Sequence, residues 1–302
     1  MNLRSASVES YGCTMNQGEA RAVESHLSSM GYRIIPAVDG QASPEADILV
    51  ILTCCVIEST ERRMIRRIRE LASTGKQVYV GGCLASISAE DLIDEFPGLG
   101  ILDTMGLGRL ERSIRADIET AGPSIDGRTH PLDRVDQIVP ISTGCLGACT
   151  YCITRLARGS LRSYEPSDIV GKIKEGIYLG RNEILLTSQD TGVYGLDSKF
   201  EQGSNLGSLL RYILIEVPGD YRIRIGMMNP GKTIDIAQDL IDGMDDRRIF
   251  KFLHIPVQSG SEAVLRAMRR PYRLRDFLDL VSDDPELRAE AMRRLGDLEL
   301  EA

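Results

Sequence analysis

Three cysteines fall within the eight residues CLGACTYC, with Cys145, Cys149 and Cys152 separated by three positions and then two. That spacing lets one tight loop point three thiolates at a common centre. A closed zinc site takes four ligands, and no histidine lies nearby, since the chain holds only His26, His130 and His254. Three thiolates suit a 4Fe-4S cluster whose fourth iron stays open to a substrate or cofactor. Four more cysteines lie upstream, and each follows a stretch that reads as a strand. Cys13 comes after ASVESY, the adjacent Cys54 and Cys55 after ADILVILT, and Cys83 after KQVYV. In an open parallel sheet the loops at the carboxyl ends of the strands gather where ligands bind. Three such ends would bring Cys13, Cys83 and one of the pair into a second three-thiolate set. The bland alternative is that these are small buried hydrophobes, and the pattern alone does not choose between Cys54 and Cys55.

The elements that must position these residues alternate along the chain. ASVESY, ADILVILT and KQVYVGG read as strands. GEARAVESHLSSMGY, STERRMIRRIRELASTG and SAEDLIDEF read as helices. Strands separated by helices imply a parallel sheet covered on both faces, so the first part of the chain resembles a small flavodoxin-like domain. AGPSIDGRTHPLDRVDQ carries Gly, Pro and Asp without a period and reads as a linker. A second series follows, with strands QIVPIST, NEILLTSQ, YRIRIGM and FKFLHIPVQ and helices between them, as in a partial (β/α) barrel. The fold class is therefore α/β: a flavodoxin-like parallel-sheet domain, then an incomplete barrel. The cysteine loop follows the first strand of that barrel, on the carboxyl face where barrel sites are built.

With 302 residues the chain has room for two domains, and its net charge of −8 does not advertise a nucleic-acid binder, although a local basic patch is compatible with it. MNLRSASVES lacks the apolar core of a signal peptide. The longest apolar run, DILVILTCCVI, is far shorter than the roughly 20 residues of a membrane span. A cytoplasmic, membrane-free setting is the default. There an odd count of seven cysteines favours metal or redox chemistry over disulfides.

The motifs themselves are distinctive. CLGACTYC resembles the radical S-adenosylmethionine signature. YGCTMNQGEA, LTCCVIEST and VGGCLAS resemble the three cysteine motifs of the methylthiotransferases. STGCLGACTYCITRLARG, LTSQDT, GMMNP and FLHIPVQSGS are similar to the archaeal and eukaryotic branch that acts on N6-threonylcarbamoyladenosine in tRNA. The resemblance runs to about Asp279. It aligns the family's second upstream cysteine with Cys54 and leaves Cys55 at a variable position. It thus implies two 4Fe-4S clusters, one on Cys13, Cys54 and Cys83 and one on Cys145, Cys149 and Cys152. It also implies S-adenosyl-L-methionine as cofactor, cleaved by one electron to a 5′-deoxyadenosyl radical that removes hydrogen from C2 of the modified adenine. The product would be the 2-methylthio derivative at position 37 of tRNA. Implied partners are the tRNA anticodon loop, an electron donor of ferredoxin or flavodoxin type and a sulfur source. In domain terms this predicts a methylthiotransferase domain over 1–122, a linker over 123–137, a radical S-adenosylmethionine domain over 138–280 and an unrecognised acidic tail over 281–302. Two further β/α units and the TRAM RNA-binding domain of the family are not found in the sequence, which predicts impaired turnover.

Around the clusters, Arg158, Gln189, Asn229 and Gln258 are candidate cofactor-binding residues, the last three at the ends of barrel strands. Arg155 and Arg162 are candidates for a cofactor carboxylate or RNA phosphate. Asn16, with Glu19 three residues on, reads as a helix-capping box as well as a motif residue. Met227 and Met228 read as core, and His254 as a hydrogen-bonded core residue. Arg62, Arg66 and Arg69 share one helix face, solvated or against tRNA phosphate. Alternatives to the leading function are a methylthiotransferase acting on isopentenyladenosine in tRNA or on a ribosomal-protein aspartate, and an inactive iron–sulfur remnant or electron carrier. A cobalamin enzyme would need a D-x-H-x-x-G loop, which neither His26 nor His130 occupies.

Overall fold

The stretch Ile48–Thr53, ILVILT, is buried at every position. A strand buried on both faces belongs in the middle of a parallel sheet. In a computed structural model of the chain, the described residues are 4–102, 137–198, 200 and 203–281. They fall into two units, Met1–Arg134 together with Leu156–Arg158, and Val135–Arg155 together with Gly159–Ala302. The linker expected over 123–137 lies outside the described residues except for Gln137. The tail over 281–302 lies outside them except for Val281.

The first unit runs β1 (Ser5–Ser10), α1 (Thr14–Ser29), β2 (Arg33–Ile34), β3 (Ile48–Thr53), α2 (Glu58–Ala72), β4 (Gln77–Gly81), α3 (Gly82–Ile87), α4 (Ala89–Glu95) and β5 (Gly100–Ile101). Its sheet has the order β2-β1-β3-β4-β5 with every pair parallel. That is the flavodoxin-like order, whose ligand crevice lies outside the carboxyl ends of the strands. Val8, Val50, Leu52 and Tyr79 join Val23 and Leu27 of α1 in one apolar cluster. Each such side chain contributes roughly 1.5–3 kcal/mol when taken from water. The other face of β1 is polar yet buried. Ser7 accepts from the Ser43 N–H at 2.9 Å, and Glu9 accepts from the Ala42 N–H at 2.6 Å and from Arg67 at 2.9 Å. Arg67 of α2 is therefore tethered inward. Arg62, Arg66 and Arg69 are exposed, opposite the buried Met64, Ile68 and Leu71.

The second unit runs β6 (Gln137–Pro140), β7 (Ser142–Thr143), α5 (Thr154–Arg158, whose last three residues belong to the first unit), β8 (Arg162–Ser163), α6 (Pro166–Tyr178), β9 (Glu183–Thr187), α7 (Leu206–Glu216), β10 (Arg222–Ile225), α8 (Pro230–Thr233), α9 (Ala237–Met244), α10 (Glu262–Ala267) and α11 (Leu274–Val281). The parallel sheet has the order β10-β9-β6. Val139, Leu186, Ile223 and Ile225 pack against Ile173 of α6 and Leu210 and Ile213 of α7. β7 and β8 pair antiparallel and close the base of the cysteine loop.

The fourth expected strand, FKFLHIPVQ, does not form. Just before it, Ile249 makes an isolated parallel bridge to Ile223, and further on the Met228 N–H donates to the His254 carbonyl at 3.0 Å. Pro256 has no N–H for a ladder. Phe252 is 57% exposed and His254 is exposed as well, so the stretch lacks a continuous apolar face. His254 is thus a surface residue rather than the core histidine expected. Met228 is core, whereas Met227 is partly in solvent.

Candidate functional site

Cys13, Cys54 and Cys83 follow β1, β3 and β4 at the carboxyl end of the first sheet. Two glycines allow their loops to close on one another. Gly12 has φ +104°, and a Cβ there would lie 2.8 Å from Cys54 Cβ and 3.0 Å from its Sγ. Gly82 has φ +85°, and its Cβ would meet the Thr53 carbonyl at 2.3 Å. A side chain at either position would push the loops apart. Cys13 is exposed while Cys54, Cys55 and Cys83 are buried, and all are free thiols. Burial pushes the Cys83 thiol up against the pull of Arg158, with Cys13 and Cys54 close enough to add to the rise. Burial, then Cys83 and Cys54, push Cys55 up to about 12, so it stays protonated at neutral pH.

Asn16 is not a cap. The N-cap of α1 is Cys13, and no side chain bonds there. Asn16 is fully buried, and its Nδ2 donates to the Tyr11 carbonyl at 2.7 Å and to the Thr53 carbonyl at 2.9 Å. The Thr53 carbonyl is buried at the end of β3 and the Tyr11 carbonyl lies half-buried just after β1, where backbone oxygens need donors, and they lie just before Cys54 and Cys13. Asn16 thus ties two cysteine loops together. Its Oδ1 accepts from Arg158 at 2.6 Å. Arg158 is 1% exposed and also donates to Glu19, at 2.9 Å to Oε2, and its charge pulls the Cys83 thiol down. Expected to face a cofactor, its guanidinium is instead occupied within the first unit.

In the second unit Gly147 sits inside the loop of Cys145, Cys149 and Cys152. A Cβ on it would lie 3.3 Å from Cys145 Sγ and 3.6 Å from Cys149 Sγ, and its N–H donates to Cys145 Sγ at 3.2 Å. Arg155 donates to the carbonyls of Cys145 at 3.0 Å and Gly147 at 2.8 Å. It therefore wraps the loop rather than reaching for an anion. Burial raises the Cys145 thiol, the Gly147 N–H lowers it, and Asp190, Cys149 and Cys152 raise it further. A bare thiolate is disfavoured there until a metal compensates it. The loop is fastened from outside. The Thr150 N–H and hydroxyl donate to the carbonyls of Met268 and Ala267, each at 3.2 Å. The Tyr151 hydroxyl donates to Gln258 Oε1 at 3.0 Å and accepts from Arg270, whose guanidinium lies 5.4 Å from the Tyr151 ring centre. Gln258 is exposed and holds a left-handed φ of +77° to make this contact.

Gln189 and Asp190 follow β9. Gln189 Oε1 is buried without a hydrogen-bond partner, the kind of atom a bound ligand satisfies. Asp190 Oδ1 accepts from the Gly192 N–H at 3.1 Å and the Asn229 N–H at 3.0 Å, joining the loops after β9 and β10. Asn229 caps α8, its side chain accepting from the Gly231 N–H at 3.0 Å. Burial pushes Asp190 from 3.8 up to about 6 against those two N–H bonds and Arg270. Between these values the folded chain holds more protons than the unfolded one, so stability falls as pH rises through the window. In urea unfolding of the cluster-free chain, Asp190→Asn is expected to remove that slope, worth at most about 3 kcal/mol between pH 4 and 6. Equal slopes in the two proteins would refute the assignment.

Among the described residues no three Cys, His, Asp or Glu side chains converge on the position of one metal ion. A four-iron cluster asks for less convergence, because each thiolate binds a different iron. The contacts that the sequence did not disclose are the Asn16 bracket and the fastening through Thr150, Tyr151 and Arg270. The available signals were Asn16 beside Cys13 and a tyrosine between two cysteines.

Two family models match the chain: Uncharacterized protein family UPF0004 over residues 5–102 and the Radical SAM superfamily over 139–283. A probable threonylcarbamoyladenosine tRNA methylthiotransferase of Pyrococcus abyssi is 40% identical over 290 residues, covering 91% of this chain and 65% of the relative. The threonylcarbamoyladenosine tRNA methylthiotransferase of Drosophila melanogaster is 31% identical over 294 residues, covering 91% and 50%. The chain thus spans between half and two thirds of the length of these relatives. Among solved structures, the radical S-adenosylmethionine methyltransferase TsrM of Kitasatospora setae, with cobalamin and a [4Fe-4S] cluster bound, superposes with a TM-score of 0.57. Identity there is 12%, over 93% of this chain and 67% of that one, a likeness of fold alone.

Proposed function

We propose, since the chain belongs to the radical S-adenosylmethionine methylthiotransferase family, that it converts N6-threonylcarbamoyladenosine at position 37 of tRNA to the 2-methylthio derivative. What supports this reading is that Cys13, Cys54 and Cys83 each follow a strand of the first sheet, and that Cys145, Cys149 and Cys152 share the loop near the first strand of the second unit. The names of the relatives favour this substrate over isopentenyladenosine.

The residues fit the cofactors this activity needs. Cys13, Cys54 and Cys83 would hold one 4Fe-4S cluster, and Cys145, Cys149 and Cys152 the other. When bound, the clusters and S-adenosylmethionine supply the one-electron chemistry that an aromatic C–H demands and that side chains lack. The chain's own part is to hold and screen. Gly147 donates to Cys145 and would do so to a thiolate. Arg155, Thr150 and Tyr151 keep the loop in one shape, which limits the reorganisation a step must bear. Gln189, with its orphaned Oε1, and Asn229 and Gln258 at neighbouring strand ends are the cofactor-side residues of this reading. The electron comes from a ferredoxin- or flavodoxin-type donor, and the sulfur from a separate source. A base in a single-stranded loop is turned out of its stack at low energy, which suits the anticodon loop. No helix among the described residues is long and apolar enough to cross a membrane, and the reading sets the enzyme in the cytoplasm, alongside its tRNA substrate.

The test is mass spectrometry of tRNA nucleosides from cells in which this chain is the sole methylthiotransferase. The 2-methylthio derivative of N6-threonylcarbamoyladenosine is expected. Its absence, with the chain present and both clusters loaded, would contradict the proposal.

A further inference from the structure

Arg158 is the largest fully buried side chain of the described residues, and it carries a charge that proteins do not titrate away. Taking such a charge out of water costs several kcal/mol. Glu19, whose side chain is 10% exposed, balances it across an ion pair. If the role were only to fasten the segment Leu156–Arg158 to α1, an apolar side chain of similar volume would do it as well or better. The guanidinium does more than meet Glu19. It donates to Asn16 Oδ1 at 2.6 Å, and Asn16 holds the backbone just before Cys13 and Cys54. Its charge also acts on Cys83, pulling that thiol down against burial. One cation therefore braces the Cys13 and Cys54 loops through one amide and acts by its charge on Cys83. Burial works against the charged form of Arg158, and Glu19 and Cys83 more than make up for it.

We propose that Arg158 is the positioning residue of the Cys13, Cys54 and Cys83 set, and that its buried positive charge raises the reduction potential of the cluster held there, with Glu19 as the counter-charge. Hydrogen bonds to cluster sulfurs and local net charge are what set such potentials. A cation beside the cluster favours the reduced form, which carries one more negative charge, and an anion opposes it. Arg158 and Glu19 thus act with opposite signs. This deepens the proposed function and rests on its reading that these three cysteines carry a cluster.

The experiment uses the full chain with Cys145→Ala, Cys149→Ala and Cys152→Ala, so that only the upstream cluster gives a signal. It is reconstituted anaerobically with ferrous iron and sulfide, then titrated with dithionite and followed by electron paramagnetic resonance. In this background Arg158→Met is expected to keep its iron and to lower the reduction equilibrium at least tenfold, a shift of about 59 mV for one electron. Glu19→Gln, which retains an oxygen for Arg158, is expected to shift the potential the other way. A merely structural role would leave the potential in place. Retained iron with an unmoved potential in both variants overturns the inference. Should Arg158→Met lose its iron, Glu19→Gln decides alone: a rise supports the inference, and no rise overturns it. Failure of the parent chain to show any cluster signal would defeat the cluster reading itself and this inference with it.

Discussion

Cys149→Ala is expected to lower reductive cleavage of S-adenosylmethionine by far more than the ~10–100-fold that loss of an outer-shell partner costs a metal site. Three cysteines are the whole complement of the loop, and no fourth cysteine or histidine lies in CLGACTYC to replace one. The surrounding structure sharpens the expectation. A side chain at Gly147 would lie against both Cys145 and Cys149, and Arg155 and Thr150 hold the loop to its neighbours. A fold fastened this way cannot bring in a distant ligand. The check is 5′-deoxyadenosine formation by the anaerobically reconstituted chain with dithionite. Cleavage within tenfold of the unsubstituted chain would remove Cys149 from the site. Folding is expected to survive, because Cys149 is only half-buried and lies outside the cluster of Val139, Leu186 and Ile223 that forms the core.

The second large effect separates two adjacent residues. Cys54→Ala is expected to halve the iron content and abolish the methylthio product while 5′-deoxyadenosine still forms. Cys55→Ala is expected to leave all three near their starting values. Both side chains are buried, so burial does not distinguish them. Their neighbours do. Gly12, adjacent to Cys13, lies directly on Cys54, and Asn16 holds the carbonyl of Thr53 just before it. Iron analysis and tRNA nucleoside mass spectrometry read the two variants side by side. Equal losses in both would mean that the pair is shared, and a loss confined to Cys55→Ala would reverse the assignment.

Much of the frame was legible before any coordinates. ILVILT reads as a central parallel strand because nothing in it tolerates water. A cysteine directly after such a strand falls at a carboxyl end by geometry. What stayed hidden depends on contacts distant in sequence. Asn16 followed by Glu19 has the same pattern as a capping box. Only the carbonyls of Tyr11 and Thr53 turn the side chain inward. Arg158 sits six residues after Cys152, yet it packs with the first unit. Ser7 and Glu9 look like the solvent face of a strand until the residues around Ala42 and Ser43 cover them. FKFLHIPVQ is apolar enough to read as a strand, but the sheet offers it a single bridge at its margin and Pro256 interrupts the ladder.

The most direct measurement of the central claim is the iron content of the anaerobically reconstituted chain beside its two triple-alanine variants. Two four-iron clusters give about eight irons per chain, and each triple variant, at Cys13, Cys54 and Cys83 or at Cys145, Cys149 and Cys152, should fall to about four. About four irons in the unsubstituted chain, or a count that the upstream triple substitution leaves unchanged, would contradict it.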